Sequence, residues 1–274
     1  ATGHFRQSLN LFRAVGDRLG EGRALHNLGV VNIQQGRYQE AASNCEEALA
    51  LCREAGDRPG EIRALHNLSL VDIRQGRYDS ATSRLTQALA ASRETGDRNG
   101  EAHSLAFLAD IDGRQGRYQQ ATDRNQQARS LYQETGDRPG EAYALADLGS
   151  ICHRLGRSRE AIDQYQQALT LFREIGDRAG EAASLNELGE VFLATGKHGF
   201  ASARHSDALH IASQIGDMFE QARAYDGLAR VHDATGHSAK ARRYWQEALT
   251  RYTDLGVPEA ARIQALLAAE GQRV

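Results

Sequence analysis

Residues 56–98, GDRPGEIRALHNLSLVDIRQGRYDSATSRLTQALAASRETGDR, decide the fold of this chain, because they begin and end on the same tripeptide 40 residues apart. Gly-Asp-Arg begins at residues 16, 56, 96, 136 and 176, and it decays to Gly216-Asp217-Met218 and then to Gly256-Val257-Pro258. A second glycine keeps the same period, at Gly36, Gly76, Gly116, Gly156, Gly196 and Gly236. A fixed period of this length is typical of a stack of equivalent units, each of which covers an apolar face of its neighbour.

Within one unit the apolar residues follow helical spacing. The first stripe consists of Ile62, Ala64, Leu65, Leu68, Val71 and Ile73. The second consists of Tyr78, Ala81, Leu85, Ala88, Leu89 and Ala91. Both approximate the i, i+3, i+4, i+7 pattern of a helix with one buried face. We expect Gly76 and Gly96 to adopt the left-handed conformation just beyond each helix, and Asp97 to cap the next helix.

The sequence therefore predicts an all-α, two-layer solenoid of about 14 antiparallel helices in a single domain, residues 1–274. Residues 1–15 are expected to form the second helix of a truncated repeat, residues 17–255 six full repeats, and residues 257–272 a C-terminal capping helix. Because Ala1 aligns with Ala41, inside a second helix, we expect the chain to be a piece of a longer protein.

Composition excludes several classes of function. The net charge of −3 argues against direct binding of nucleic acid. No apolar run approaches the ~20 residues that span a bilayer, and no signal peptide heads the chain, so we expect a cytoplasmic protein without membrane contact. Cys45, Cys52 and Cys152 lack metal-binding spacing, and we expect them to be reduced packing residues. With no nucleophile elbow, phosphate loop or His-Glu-x-x-His motif, we expect no enzyme, no metal and no cofactor.

The repeat resembles the tetratricopeptide repeat (TPR), whose first helix reads Leu-x-x-Leu-Gly/Ala and whose second reads Ala-x-x-x-aromatic/Leu-x-x-Ala. The matching residues here are Leu25-Leu28-Gly29 with Ala41-Cys45-Ala48, Leu65-Leu68-Ser69 with Ala81-Leu85-Ala88, and Leu145-Leu148-Gly149 with Ala161-Tyr165-Ala168. The usual period is 34 and the usual helix-ending proline is replaced here by Arg53, Arg93 and their equivalents. The resemblance implies a right-handed superhelix that binds proteins or peptides.

The 40-residue form with Gly-Asp-Arg is similar to two groups within that family. One is the Pins/LGN scaffold type, and the other is the TPR region of bacterial signal-transducing NTPases and antibiotic-regulatory transcription factors. The excess of 31 arginines over two lysines, Lys197 and Lys240, favours the bacterial group. The resemblance thus implies the sensor or regulatory arm of a larger signalling or transcription-regulating protein.

In the TPR architecture the first helix of each pair lines a concave groove, so groove positions can be read from the repeat. The groove positions that avoid the leucine stripe change strongly from copy to copy, while the core positions barely change. The candidate groove residues are Arg23, His26, Asn27, Arg63, His66, Asn67, Arg74, His103, Phe107, Asp110, Arg114, Tyr143, Asp147 and Arg154. The N-terminal half of this set is basic and rich in amides, whereas the C-terminal half of the chain adds the acids Glu187, Glu190, Asp226 and Asp233.

These residues predict capture of a protein or peptide ligand with acidic side chains. Asparagine amides would hold its backbone, arginines such as Arg63, Arg74 and Arg114 its carboxylates, and Phe107 and Tyr143 its apolar groups. The alternatives are solvated arginines stabilised by helix dipoles, and asparagines bonded between helices. For function, the main alternative is a self-association module, or one that docks onto other domains of the parent protein. A small-molecule sensor is a third hypothesis.

Overall fold

The computed structural model describes residues 2–271, apart from the side chains of Thr2, Gln34 and residues 269–271. Within that range the chain forms fourteen α-helices and no strand, as predicted. Residues 1 and 272, the outer limits of the two predicted terminal helices, lie outside the described residues. None of the described helices is long and apolar enough to cross a membrane.

The chain divides into two compact units, one up to Gly140 and one from Glu141. Seven of the described helices lie entirely in unit 1, namely α1 (Thr2–Val15), α2 (Arg18–Gln34), α3 (Tyr38–Ala55), α4 (Arg58–Arg74), α5 (Tyr78–Thr95), α6 (Arg98–Arg114) and α7 (Tyr118–Thr135). The others are α8 (Arg138–Arg154), α9 (Ser158–Ile175), α10 (Arg178–Ala194), α11 (His198–Ile215), α12 (Met218–Ala234), α13 (Ser238–Leu255) and α14 (Glu259–Gly271). Each full repeat pairs a first helix of 17 residues with a second of 18, as in α4 and α5.

The junction between repeats confirms the predicted roles of glycine and aspartate. Gly96 has φ 71°, and the N–H of Asp97 donates to the carbonyl of Ser92 at 2.8 Å, which ends α5 in a left-handed turn. The Asp97 side chain then accepts a hydrogen bond from the N–H of Gly100 at 2.9 Å, which begins α6. The glycines before the other first helices share this conformation, at Gly16, Gly56, Gly136, Gly176, Gly216 and Gly256.

The arginine of the tripeptide binds a buried glutamate three residues later. The Glu61 carboxylate, almost fully buried, accepts from Arg58 Nη1 at 2.9 Å and from Arg53 Nε at 2.8 Å. Arg53 occupies the position of the helix-ending proline in the usual repeat. Its ion pair with Glu61 joins the end of α3 to the start of α4. The equivalent arginine pairs of three other junctions bind Glu21, Glu101 and Glu181.

Small residues stand where helices approach most closely. Ala81 and Ala88 of α5 are completely buried. Ala88 lies in a core cluster with Leu65 and Leu68 of α4. Ala81 lies in a second cluster with Ile73 and Leu85. The equivalent alanines in other repeats are just as buried, at Ala41, Ala121, Ala128, Ala161, Ala168, Ala201, Ala208, Ala241 and Ala248. A larger side chain at these positions would force the two layers apart.

Among the residues that the structure describes, a buried carboxylate near the end of a first helix is found in unit 1 but not in unit 2. Near the end of α4, Asp72 is 2% exposed and accepts from Arg77 Nε at 2.8 Å, from Ser80 Oγ at 2.6 Å and from Arg84 Nε at 3.1 Å. Asp112 occupies the same position in the next repeat and binds Arg117 and Arg124. In unit 2 the equivalent residues are Cys152, Phe192 and His232, so this position no longer holds an acid there.

Candidate functional site

A pocket of about 320 Å³ lies in unit 1 between α2 and α4, at the end of α3. Four of the predicted groove residues line it, namely Arg23, His26, Asn27 and Arg63. The remaining lining residues are Gly22, Cys52, Asp57 and Gly60. We call this cavity the α2–α4 pocket. It brings two guanidinium groups and one amide to a single opening.

The arginines of the α2–α4 pocket are available to a ligand. Arg23 and Arg63 are both exposed, and neither forms an ion pair with another side chain in residues 2–271. The acid in the wall is Asp57, whose Oδ1 already accepts from the N–H of Gly60 at 3.0 Å as the cap of α4. The formal charge of the lining residues is therefore one positive unit, carried on groups that face solvent.

His26 contributes a neutral ring to this pocket. Burial lowers its pKa, and the neighbouring Arg63 guanidinium lowers the pKa further. Its Nδ1 lies 3.1 Å from Nδ2 of Asn67, so the amide donates and the ring carries its proton on Nε2. This hydrogen bond joins α2 to α4. Asn67 therefore bonds between helices, which is the alternative to a role in holding a peptide backbone.

Further along unit 1 the predicted histidines form a packed row. His66 Nε2 donates to Ser104 Oγ at 2.8 Å, since that hydroxyl itself donates to the carbonyl of Gly100. The His66 ring lies 5.9 Å from the Phe107 ring and 6.2 Å from that of His103, centroid to centroid. His103 Nδ1 in turn lies 2.9 Å from the Tyr132 hydroxyl.

The histidines of this row are also neutral near pH 7. Burial lowers the pKa of His66 to about 4, with a smaller contribution from His103. Burial likewise lowers the pKa of His103, against the opposing effect of Asp137 and Asp97. The positive charge on this face of unit 1 consequently comes from arginine alone.

The other predicted arginines differ in their surroundings. Arg114 Nε binds both carboxylate oxygens of Asp110 at 2.9 Å, so these two predicted residues satisfy each other. Arg74, at the end of α4, is exposed and forms no ion pair with any described side chain. In unit 2, Arg154 is exposed at the end of α8.

The predicted residues Tyr143 and Asp147 lie on α8 in unit 2. Tyr143 is half exposed, and its hydroxyl donates to Asp177 Oδ2 at 2.7 Å while its ring meets the Phe172 ring edge-on at 5.0 Å. Burial, followed by the Asp177 carboxylate, raises the pKa of Tyr143 to about 12. The Asp147 side chain is exposed.

The acids predicted to give unit 2 its negative character are mostly engaged internally. Glu187 binds Arg223, and Glu190 binds Arg230 with 2.6 Å between Oε2 and Nη1. Asp226 is buried and accepts from the indole N–H of Trp245 at 3.1 Å. Their charges stabilise unit 2 more than they shape a binding surface.

Sequence reasoning missed part of the α2–α4 pocket. Asp57 was recognised only as part of the repeated tripeptide, and Cys52 only as a packing residue. Gly22 carried a usable signal, because the equivalent positions hold Ile62, Ala102, Ala142, Ala182 and Ala222. Only the first full repeat lacks a side chain there, and the pocket opens at that point.

In the described part of the chain, no group of three His, Cys, Asp or Glu side chains could hold a metal ion. Cys45, Cys52 and Cys152 are buried and free, as expected. Burial raises the pKa of Cys45 to about 11. These thiols behave as apolar core groups.

Comparison with solved structures finds the same fold in several proteins. BtubC from P. vanneervenii is 22% identical with a TM-score of 0.68, covering 81% of this chain and 92% of that one. A signal transduction ATPase with numerous domains and a tetratricopeptide repeat sensor, from Pyrococcus horikoshii, is 16% identical with a TM-score of 0.72, covering 97% of this chain and 42% of that one. A Rap protein complexed with competence and sporulation factor is 14% identical with a TM-score of 0.69, covering 99% and 85%.

No curated protein matches the sequence significantly. The model of the tetratricopeptide repeat family, however, matches residues 23–94, 100–174 and 180–254, which is most of the chain. Its matches coincide with the helix pairs described above. The chain belongs to the tetratricopeptide repeat family.

Proposed function

We propose that this chain is a protein- or peptide-binding scaffold whose ligand presents acidic side chains to unit 1. The observation that supports the proposal is the α2–α4 pocket, where the unpaired guanidinium groups of Arg23 and Arg63 converge beside the amide of Asn27. Guanidinium groups bind carboxylates through two parallel hydrogen bonds, and an amide can hold a peptide backbone. Arg74 extends the basic surface along α4.

We further propose that binding serves regulation, with the chain acting as the sensor arm of a larger bacterial protein. Two proteins of similar fold support this idea by their descriptions, the ATPase with a tetratricopeptide repeat sensor and the Rap protein complexed with competence and sporulation factor. At sequence identities of 16% and 14%, the likeness to these proteins concerns the fold alone, so the support comes from shared architecture.

The test is to pan a random peptide library against the chain and measure selected peptides by fluorescence anisotropy. We expect the selected peptides to be rich in Asp and Glu. Arg23→Ala and Arg63→Ala should each weaken binding by about 1 kcal/mol, or about fivefold in Kd, which is the upper end for a solvent-exposed ion pair. Arg6→Ala is the matched control, since Arg6 is exposed on α1 outside the pocket. Equal affinity in all three variants would contradict the proposed site.

A second candidate function, self-association or docking within a parent protein, is favoured by one observation. On α1, Leu11 is 61% exposed and Val15 is 75% exposed, whereas Leu51 at the position equivalent to Leu11 is buried. If α1 forms such an interface, the apparent mass in light scattering should rise with concentration, and Leu11→Ser should abolish that rise. A constant monomer mass would leave docking onto another domain as the only form of this candidate.

A further inference from the structure

A cleft of about 460 Å³ lies in unit 2 between α12 and α13. Its lining residues are Tyr225, His232, Lys240, Arg243, Tyr244 and Glu247. We call it the α12–α13 cleft. It contains none of the residues assigned to peptide binding above.

The same cleft exists in unit 1, where its residues differ. A cavity of about 320 Å³ is lined there by residues that include Leu65, Ser80, Ser83, Arg84 and Gln87, which are those 160 positions before Tyr225, Lys240, Arg243, Tyr244 and Glu247. In unit 1 the Arg84 charge is matched by Asp72 at 3.1 Å and Glu46 at 3.8 Å. In the α12–α13 cleft both the arginine and the buried acid are gone, replaced by Tyr244 and His232. The repeat thus forms a cavity at the same place in both units, and the residues that line it differ between them.

The α12–α13 cleft has an excess of positive charge. Lys240 and Arg243 are exposed and form no ion pair with any side chain in residues 2–271. The carboxylate of Glu247 is bound by Arg251 Nη1 at 2.8 Å. Burial lowers the pKa of His232, and Lys240 and His237 lower it further, so the ring is neutral near pH 7. The cleft therefore has two unpaired cations, Lys240 and Arg243, and its one carboxylate already forms an ion pair with Arg251.

One wall of the cleft is aromatic. The rings of His232 and Tyr244 lie parallel within 8°, with 5.5 Å between centroids. Tyr225 lies 6.0 Å from Tyr244, and the Arg251 guanidinium stands 4.5 Å from the centre of the Tyr225 ring. Tyr244 and His232 are each half-buried, so the stack is fixed by packing while part of its surface stays in contact with solvent.

We propose that the α12–α13 cleft binds a small ligand composed of a flat aromatic ring that carries a phosphate or carboxylate group. The ring would lie against His232 and Tyr244, and the anion would accept hydrogen bonds from Lys240 and Arg243. The cleft volume falls in the range of small-molecule sites, about 300–1,000 Å³. The rings and the two unpaired cations line one cleft of this volume, which favours a compact ligand over a long peptide.

The test uses isothermal titration calorimetry with four probes. AMP carries a phosphate on an aromatic base, and indole-3-acetate carries a carboxylate on an aromatic ring. Adenosine lacks the anion, and inorganic phosphate lacks the ring. We expect one-to-one binding of AMP, indole-3-acetate or both, with adenosine and phosphate at least about tenfold weaker. Since these two probes differ in both ring and anion, binding of AMP alone would indicate a purine phosphate and binding of indole-3-acetate alone an indole carboxylate.

Variants taken from the chain itself complete the test. Lys240→Ser with Arg243→Ser installs the residues of unit 1, Ser80 and Ser83, and should weaken binding about tenfold or more. Arg159→Ser with Arg242→Ser removes two exposed charges elsewhere in unit 2 and should leave affinity unchanged. Helical content by circular dichroism verifies that both double variants fold.

Three results would overturn the proposal. The first is absence of binding by both aromatic anions. The second is phosphate binding as tightly as AMP when indole-3-acetate does not bind, since the aromatic wall would then be irrelevant. The third is equal affinity in the two double variants. The α2–α4 pocket lies in unit 1, so none of these results depends on the peptide proposal.

Discussion

Replacing Gly22 with alanine tests whether the α2–α4 pocket is held open by a residue that weakens its own helix. Gly22 lies inside α2, where glycine is less favourable than alanine by about 1 kcal/mol. A Cβ built there would lie 3.6 Å from Cys52 Sγ and 3.8 Å from Leu51 Cβ, which are ordinary contact distances. We therefore expect Gly22→Ala to stabilise the protein by about 0.5–1 kcal/mol.

The neighbouring Gly20 provides a control of opposite sign in the same helix. A Cβ there would lie 2.6 Å from Phe12 Cε1 and 2.6 Å from Asp17 Oδ2, the cap of α2. Both are too close for real atoms, so Gly20→Ala should destabilise the protein by about 1–3 kcal/mol despite the better helix propensity of alanine. Urea unfolding followed by circular dichroism measures both changes.

Binding supplies the decisive comparison. Gly22→Ile introduces the side chain that the next repeat carries at the same position, where Ile62 is 2% exposed. The larger side chain should fill the pocket and weaken the selected acidic peptides by about tenfold or more, without loss of helical content. Unchanged peptide affinity in Gly22→Ile, or equal destabilisation by Gly20→Ala and Gly22→Ala, would refute the reasoning.

Three further predictions concern stability, each read from urea unfolding midpoints. Burial lowers the pKa of His66 to about 4 and that of His205, a fully buried residue of α11, to about 3. Below about pH 6.5 the unfolded chain therefore binds more protons than the folded chain, and the free energy of unfolding should fall as pH decreases, by up to about 1.4 kcal/mol per pH unit for each histidine. The fall should be smaller in His66→Gln. Asp112→Ala removes the acceptor of two arginines and should cost about 2–3 kcal/mol, whereas Asp112→Asn should cost about 1 kcal/mol, since Asn32 already serves Arg37 in that role; equal losses would contradict the ion-pair argument. Asp177→Ala should cost about 2 kcal/mol, as the sum of a helix cap and the bond from Tyr143, and Tyr143→Phe only the second half of that amount.

The fold could be predicted from the sequence because its determinants are local. A glycine with positive φ follows each helix from α1 to α13, and each first helix from α2 to α12 begins at an aspartate whose side chain accepts from the N–H three residues ahead. A short stretch of chain therefore specifies these boundaries. The 40-residue period then repeats that information along the chain. The arginines that flank these boundaries could be assigned to an acid nearby, but the glutamate that they share became evident only from the packed structure.

The candidate site could be predicted only in part, because exposure depends on residues about 40 positions away. The helical position of His66 marked it as a groove residue, yet Ser104 and Phe107 of the next repeat cover it. Asn67 likewise meets His26 of the preceding repeat. Arg23 and Arg63 remain exposed because no acid of a neighbouring repeat reaches them, and the period alone does not carry that information.

The Gly-Asp junction has a consequence for how such chains change in length. The backbone and capping hydrogen bonds that form the turn between α5 and α6 are made by residues within a few positions of Gly96 and Asp97, and the same holds at the equivalent turns. A 40-residue block that runs from one Gly-Asp junction to the next therefore carries all the residues that form the turns at its two ends. Duplication or deletion of whole blocks would need no new loop, so recombination can lengthen or shorten the protein while every surviving junction keeps its bonds. The number of pockets and clefts on offer would then change in whole steps, and each copy could diverge as the α12–α13 cleft has diverged from its counterpart in unit 1.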